Sequence, residues 1–305
     1  MTVINTQTSL SWDLHCHTSY SDGTETPATL VSEAKRLGLE GVAISDHDTT
    51  AGWEDFRLAA SALDFPVLYG SEITAQEPCC FDGEVMRGIN ISVHMLAYQY
   101  NPNDSEIVAM FAATRARRIE RTKLMVERMA HDFPITWDDV ISQAGEGELT
   151  TIGRPHIADA LVKAGVYETR SEAFADAVSP QSKYYIPTQS PRVIEVIKAV
   201  KHAGGVSFIA HPADTSRNRV LLCDEQIIEF AEAGLDGLEV YHRGNTLSQR
   251  SRLLAIAKDC DLLVTGGSDW HGAGKPNILG EKRTDRGVVK EIQRRGRIEY
   301  RRREI

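Results

Sequence analysis

Apolar and polar positions follow two rhythms along this chain, and the rhythm changes twice. Near the start, Leu14 and Cys16 alternate with His15 and His17, the two-residue period of a strand, so both imidazoles leave one face. From Thr26 to Leu39 the apolar residues fall at Leu30, Ala34, Leu37 and Leu39. Thr26 and Pro27 suit a helix start and Gly38 a helix stop, which predicts an amphipathic helix. Residues 41–45 predict a short buried strand, 52–63 a helix, and 66–74 a strand carrying Glu72. The polar, Gly-containing stretch 77–88 predicts a loop, and 89–97 a strand carrying His94. Strands alternating with helices predict βα units and a parallel sheet or barrel.

From about residue 104 to 190 the strand rhythm stops. Helical spacing covers 105–129, and shorter helices are expected over 137–143, 156–163 and 171–177. The βα rhythm returns at Pro191, with helices over 191–203, 224–233 and 246–258, each followed by a strand. Those strands end at His211, near His242, and at Asp269 and His271. A last helix (287–295) leads into a basic, strand-like end. The expected organisation is one barrel domain built from 10–100 and 190–305, interrupted by a helical insertion over 101–189. The basic run Arg115, Arg117, Arg118, Arg121, Lys123 and Arg128, interleaved with Glu120 and Glu127, predicts a solvated helix face with i,i+4 pairs.

Composition narrows the class of protein. A chain of 305 residues that is 42% hydrophobic has room for a sizeable core. A net charge of −9 argues against binding long duplex nucleic acid. No apolar run approaches membrane-spanning length, and the opening MTVINTQTSLSW lacks the pattern of a signal peptide. Five cysteines at irregular spacing, Cys16, Cys79, Cys80, Cys223 and Cys260, form no disulfide framework and fit a reducing cytoplasm. The oligomeric state leaves no signal in the chain.

Candidate chemistry changes this picture most. His15, His17, His47, Glu72, His94, His211, Asp269 and His271 each fall in or just after an expected strand, and Asp22 lies in the first loop. Six of the ten histidines take such positions. Strand ends of a βα barrel converge on one face, where active sites are built. Nine N and O donors exceed the roughly four to six that one ion takes, which implies two or three divalent ions. A donor set without thiolate suits Mn, Zn or Fe without choosing among them. His131 and His202 fall on helices away from strand ends and are given no role.

The ordered motifs His15-x-His17, the Asp22 loop, Ser45-Asp46-His47-Asp48, Gly70-Ser-Glu72, His94, Ala210-His211-Pro212 and Gly267-Ser-Asp269-x-His271 resemble the PHP (polymerase and histidinol phosphatase) family. The resemblance implies an α/β fold: a distorted seven-stranded βα barrel with a di- or trinuclear metal site. It implies one ion on His15, His17, Glu72 and Asp269. A second would sit on Glu72, His94 and His211, with Glu72 bridging, and a third on Asp22, His47 and His271. Asp46 and Asp48 are expected to orient ligand histidines. All nine ligand positions are filled.

Within the insertion, Gly153-Arg154-Pro155-His156 resembles a PHP subfamily of nucleotide phosphatases acting on nucleoside 3′,5′-bisphosphates, some of which also degrade short 5′-phosphorylated RNA from the 5′ end. A guanidinium offers a bidentate fork for phosphate oxygens, and a helix start favours anions. Arg154 and His156 are therefore expected to hold a phosphate, with Lys183 and Arg243 as further substrate contacts and His242 as the candidate proton donor. The expected function is metal-dependent hydrolysis of a small nucleotide's phosphate monoester by a metal-bridging hydroxide. The rivals are histidinol-phosphate phosphatase, hydrolysis of C–N bonds on a related barrel, and a non-catalytic metal-stabilised PHP module.

Overall fold

The computed structural model describes residues 10–81, 84–144 and 150–298. The opening signal-peptide question, the tip of the expected loop at 82–83 and the end of the basic tail at 299–305 lie outside these residues. Eight strands form one sheet: β1 (Leu10–Asp13), β2 (Gly41–Ile44), β3 (Val67–Phe81), β4 (Glu84–Tyr98), β5 (Val206–Ile209), β6 (Gly237–Tyr241), β7 (Leu263–Gly266) and β8 (Thr284–Asp285). Their order is β7-β6-β5-β4-β3-β2-β1-β8. Thr284 nearly closes the ring, because its Oγ1 accepts from Gly266 N and donates to Gly266 O, both at 2.8 Å. The strand count is therefore eight rather than seven. β8 has two residues, too few for any periodicity to announce.

β1–β2–β3 and β5–β6–β7 are parallel, whereas β4 runs antiparallel to both neighbours. A parallel return would need a crossover of a dozen residues. β3 and β4 follow one another directly, so β4 returns antiparallel. His94 thus reaches the ligand end of the barrel from the opposite direction. It precedes Met95–Tyr98, the stretch of β4 that pairs with β5.

The expected loop over 77–88 is corrected. β3 continues through Phe81 and β4 begins at Glu84, forming a long ribbon. Its polar residues serve as ties. Gln76 N donates to Pro191 O at 2.9 Å, and Glu77 pairs with Arg192.

Helices α1 (Pro27–Arg36) and α2 (Trp53–Leu63) fill the first crossovers, and Thr26 Oγ1 caps α1 by accepting from Thr29 N at 3.2 Å. After β4 come four helices in succession: α3 (Ser105–Met129), α4 (Trp137–Ile141), α5 (Arg154–Lys163) and α6 (Arg170–Ala175). They share a hydrophobic cluster of their own, including Met125, Met129, Ile157, Leu161 and Tyr184, apart from the main core. Helices α7 (Val193–His202), α8 (Asp224–Glu232) and α9 (Leu247–Asp259) restore the βα rhythm. Finally α10 (Arg286–Arg295) buries Val289 and Ile292 against Trp12, Leu14 and Phe208.

The solvated-face expectation for α3 holds for Arg117, Lys123 and Arg128, which are exposed, and is corrected for Arg115, Arg118 and Arg121. Ile107, Phe111, Thr114 and Met125 are buried on one stripe, and Arg118 and Arg121 fall on that stripe at the same three-and-four spacing. Arg115 Nη1 donates to Asp48 O at 2.7 Å, Arg118 Nη1 to Asp48 Oδ2 at 2.7 Å, and Arg121 Nε to Ile186 O at 2.6 Å. These cations face inward.

Candidate metal centre

The loop ends of the strands bring all nine expected donors into one buried cluster. Three sets of ligand atoms lie within 4.8 Å of one another: His17, Asp22, His47 and His271; His15, His17, Glu72 and Asp269; and His47, Glu72 and His94. Glu72 is the hub. Its Oε2 lies 3.1 Å from His17 Nε2 and 3.3 Å from both His15 Nε2 and His47 Nδ1, and its Oε1 lies 2.7 Å from His94 Nδ1 and 3.0 Å from His211 Nε2. The expected second set is thus present around Oε1. His47 adds to it from the other side, which sequence order alone does not show.

The backbone is bent to make this arrangement. His211 and Asp269, both ligand candidates, take positive φ (+31° and +55°), as does the neighbouring Asp48 (+52°). Such strain persists only where the surroundings fix it and clusters at functional sites. Gly267 is required beside them, since a Cβ there would lie 2.3 Å from His15 Cβ and 2.6 Å from Glu239 Oε1.

Hydrogen bonds assign the lone pairs. His15 Nδ1 meets Glu239 Oε1 at 3.0 Å, so Nδ1 carries a proton and Nε2 is turned into the cluster. His271 Nδ1 meets the carbonyl O of Asp269 at 2.8 Å, which fixes the same tautomer. Burial, and then Lys275, hold His271 down to about 4, so the ring is neutral at pH 7. Its bare Nε2 faces Asp22 Oδ1 at 3.1 Å. Two lone pairs at that distance repel unless a cation lies between them. His271 Nε2, His47 Nδ1, Glu72 Oε2 and Asp269 Oδ1 are all buried without a hydrogen-bond partner. Unpaired buried polar atoms are costly, and here they are the donor atoms of the three sets. The site fits divalent metal ions.

Electrostatics follow from this crowding. Burial alone would push Glu72 up; His94, His15 and His47 outweigh it and hold the carboxyl well below its usual range. Asp269 is likewise held well below, with burial overcome by Lys275, His271 and His15. Burial would lower His17, but the carboxylates of Asp269 and Glu72 beside its Nε2 outweigh burial and raise it to about 9. Burial, reinforced by Arg217, drives His211 well below the imidazole range.

Asp46 and Asp48 do not orient histidines directly, a correction to the expectation. Asp46 accepts from Thr18 N (2.8 Å), Thr18 Oγ1 (2.6 Å) and Ser21 Oγ (2.6 Å), fixing the loop that carries Asp22. Asp48 accepts from Thr74 N and Oγ1 and from Arg118. The orienting carboxylate is Glu239 on β6, which also accepts from His211 N at 2.7 Å. Sequence reasoning missed it. Its signal was a lone carboxylate inside the apolar run 237–240. Lys275, whose Nζ donates to Asp269 Oδ2 at 2.8 Å, and Arg217, whose Nη1 lies 2.7 Å from His94 Nδ1, were missed as well.

The expected substrate contacts divide. Arg154 opens α5 and donates to Val178 O at 3.1 Å, with its guanidinium 5.5 Å from the ring centroids of both Phe174 and Tyr185. His156 is buried, and its Nδ1 accepts from Gly153 N at 3.2 Å, capping the same helix. His242 is buried in the cluster with Nε2 4.0 Å from Asp269 Oδ2. Lys183 and Arg243 are turned elsewhere. Lys183 is exposed and pairs with Asp132 at 2.9 Å, and Arg243 pairs with Glu281 at 3.5 Å.

A buried strand-end cluster of imidazoles and carboxylates in a βα barrel defines a metal-dependent hydrolase. Residues 13–143 match the PHP domain family. A structure from Bifidobacterium adolescentis assigned as a metal-dependent phosphoesterase is 62% identical, with TM-score 0.89, over 94% of this chain and 97% of that one. The 5′-3′ exoribonuclease of Haemophilus influenzae is 29% identical over 85% of this chain and 89% of its own length. The 3′,5′-nucleoside bisphosphate phosphatase of Chromobacterium violaceum is 27% identical over 86% and 88%. The chain belongs to the PHP family and is a metal-dependent phosphoesterase. No helix among the described residues is long and apolar enough to cross a membrane.

Proposed function

We propose that this phosphoesterase removes one phosphate from a small nucleotide carrying two, a nucleoside 3′,5′-bisphosphate, and acts on short 5′-phosphorylated RNA by the same chemistry. The observation that carries the metal part is His271 Nε2, buried without a hydrogen-bond partner and facing Asp22 Oδ1 at 3.1 Å, beside the equally unpartnered His47 Nδ1, Glu72 Oε2 and Asp269 Oδ1. His15, His17, Glu72 and Asp269 would hold one divalent ion, Glu72, His94 and His211 a second, and Asp22, His47 and His271 a third, with Mn, Zn or Fe all suited to the donors. Bound ions of this kind lower the pKa of water to make a nucleophile and neutralise charge on phosphate oxygens.

The chain's own residues do the rest. Glu239 holds His15 in the tautomer that points Nε2 inward. Lys275 occupies Asp269 Oδ2 and leaves Oδ1 facing the cluster. Gly244 N donates to His242 Nδ1 at 3.1 Å, so the ring's proton sits on Nε2, inside the cluster and without a partner. Burial lowers the His242 pKa and keeps the ring neutral. A neutral Nε2–H is a poor acid, so His242 donates a hydrogen bond to the leaving oxygen, and that oxygen takes its proton from solvent. In the overall reaction, a P–O bond to water's oxygen forms as the ester P–O bond breaks. Arg154, delivered by α5, holds the second phosphate, and His156 fixes the helix start that presents it. Residues 101–189 act as a separate helical unit serving this role.

The relatives named as a bisphosphate phosphatase and an exoribonuclease support the substrate class. The unpaired thiols support the cytoplasm as the place of work. The test is phosphate release with added Mn from a nucleoside 3′,5′-bisphosphate, a 5′-monophosphate, histidinol phosphate and a short 5′-phosphorylated RNA. The bisphosphate is expected to be preferred at least tenfold over the monophosphate. Equal turnover of all four would refute the substrate assignment.

A further inference from the structure

Of the guanidiniums gathered beside the metal centre, Arg118 has a carboxylate partner, Asp48 Oδ2 at 2.7 Å. Arg121 and Arg154 have none among the described residues. Each donates to a main-chain carbonyl, Ile186 O at 2.6 Å and Val178 O at 3.1 Å. Both lie near one aromatic ring, with guanidinium carbons 5.0 and 5.5 Å from the centroid of Tyr185. Arg121 Nη2 is buried with no hydrogen-bond partner. A ring quadrupole and one carbonyl offset only part of what burying a guanidinium costs, and two such cations side by side repel. Burial, and then repulsion from Arg154 and Arg118, bring Arg121 down to about 10. Burial, and then repulsion from Arg217 and Arg118, lowers Arg154 as well. Arg217 in turn touches His94, a candidate ligand of the metal centre.

We infer that Arg121, midway along α3, completes with Arg154 an anion subsite beside the metal centre, and that this subsite holds the substrate's second phosphate. The inference rests on the phosphoesterase reading above and assigns Arg121 a binding task within it. The unpartnered Nη2 is the donor the anion takes, and the Tyr185 ring lies against both guanidiniums. A dianionic phosphate supplies the counter-charge that the protein withholds, and a planar fork suits its oxygens. A substrate with one phosphate leaves the two cations uncompensated, so the subsite selects for two.

The test starts with chelator-treated full-length protein, whose thermal midpoint is followed with rising inorganic phosphate at fixed ionic strength. The wild type is expected to rise. Arg121→Gln should lose most of that response, and Arg121→Lys, which keeps the charge, should retain part of it. In the Mn-loaded enzyme, Arg121→Gln should raise KM for the bisphosphate about tenfold while kcat at saturation falls less than threefold. An equal phosphate response in wild type and Arg121→Gln overturns the inference, as does an Arg121→Lys variant no better than Gln, which would mean Arg121 merely braces Ile186. Absence of turnover for every phosphomonoester would instead refute the phosphoesterase reading, while the phosphate response still decides the role of Arg121.

Discussion

The barrel mouth and the helical block solve opposite electrostatic problems. At the mouth, carboxylates and imidazoles crowd within 3.3 Å of one another and leave buried donor atoms bare, a surplus of lone pairs that calls for cations. In the helical block, cations from α3 and α5 crowd together with main-chain carbonyls as their partners. The mouth stands on strands whose register fixes each donor, which suits the tight geometry an ion demands. The block stands on helices, and its long side chains supply charge over a wider range of positions. On the proposed reading the mouth carries the chemistry and the block the selectivity, so variants in the two parts should fail differently.

The largest expected effect is at the mouth. Asp269→Ala or His17→Ala should lower kcat by about three orders of magnitude, equivalent to about 4 kcal/mol, with loss of bound metal measured by elemental analysis. Glu239→Gln should cost about 10- to 100-fold in metal affinity, read by competition with a chelating dye. The amide oxygen can accept from His15 Nδ1 or from His211 N but not from both, so one candidate ligand loses its tie without being removed, and unchanged affinity would deny Glu239 its orienting role.

The chelator-treated protein should lose stability as pH falls below about 6.5. His242 and His156 have folded values lowered by burial, so their contribution is present above the unfolded value and lost as pH falls through it towards the folded one. His17, raised to about 9, has its contribution fully present below 6.5 and so adds nothing to that slope. Thermal midpoints between pH 7.5 and 5.5 check this, and His242→Gln should flatten the curve. The smallest effects belong to Lys183→Ala and Arg243→Ala. Both side chains are turned to carboxylates away from the cluster, and kcat/KM should change less than about threefold.

Eight of the nine candidate donors were legible in the sequence because each falls in or just after an apolar strand, where a polar side chain needs a reason; Asp22, in the first loop, lacks that signal. The βα rhythm carried the fold for the same reason. Glu239 obeys that rule too, yet no histidine beside it drew attention. β8 was illegible at two residues, and the β3–β4 ribbon was hidden by a polar, Gly-containing stretch whose Glu77 serves as a tie to Arg192. Arg115, Arg118 and Arg121 of α3 were misread because alternating charges suggested a wet face. Their true signal was the stripe 107, 111, 114, 118, 121, 125, in which two arginines take core positions. Asp46 and Asp48 were assigned to histidines by proximity in sequence, whereas hydrogen bonding sends them to Thr18, Ser21, Thr74 and Arg118.

The most direct test of this division of labour is kcat/KM for a nucleoside 3′,5′-bisphosphate and for its 5′-monophosphate, in the wild type, Asp269→Ala and Arg154→Ala. Asp269→Ala should lose both activities together. Arg154→Ala should lose at least tenfold on the bisphosphate alone, bringing the two substrates level. If Arg154→Ala lowered both substrates equally, or left the preference intact, the helical block would not select the second phosphate and the account would be wrong.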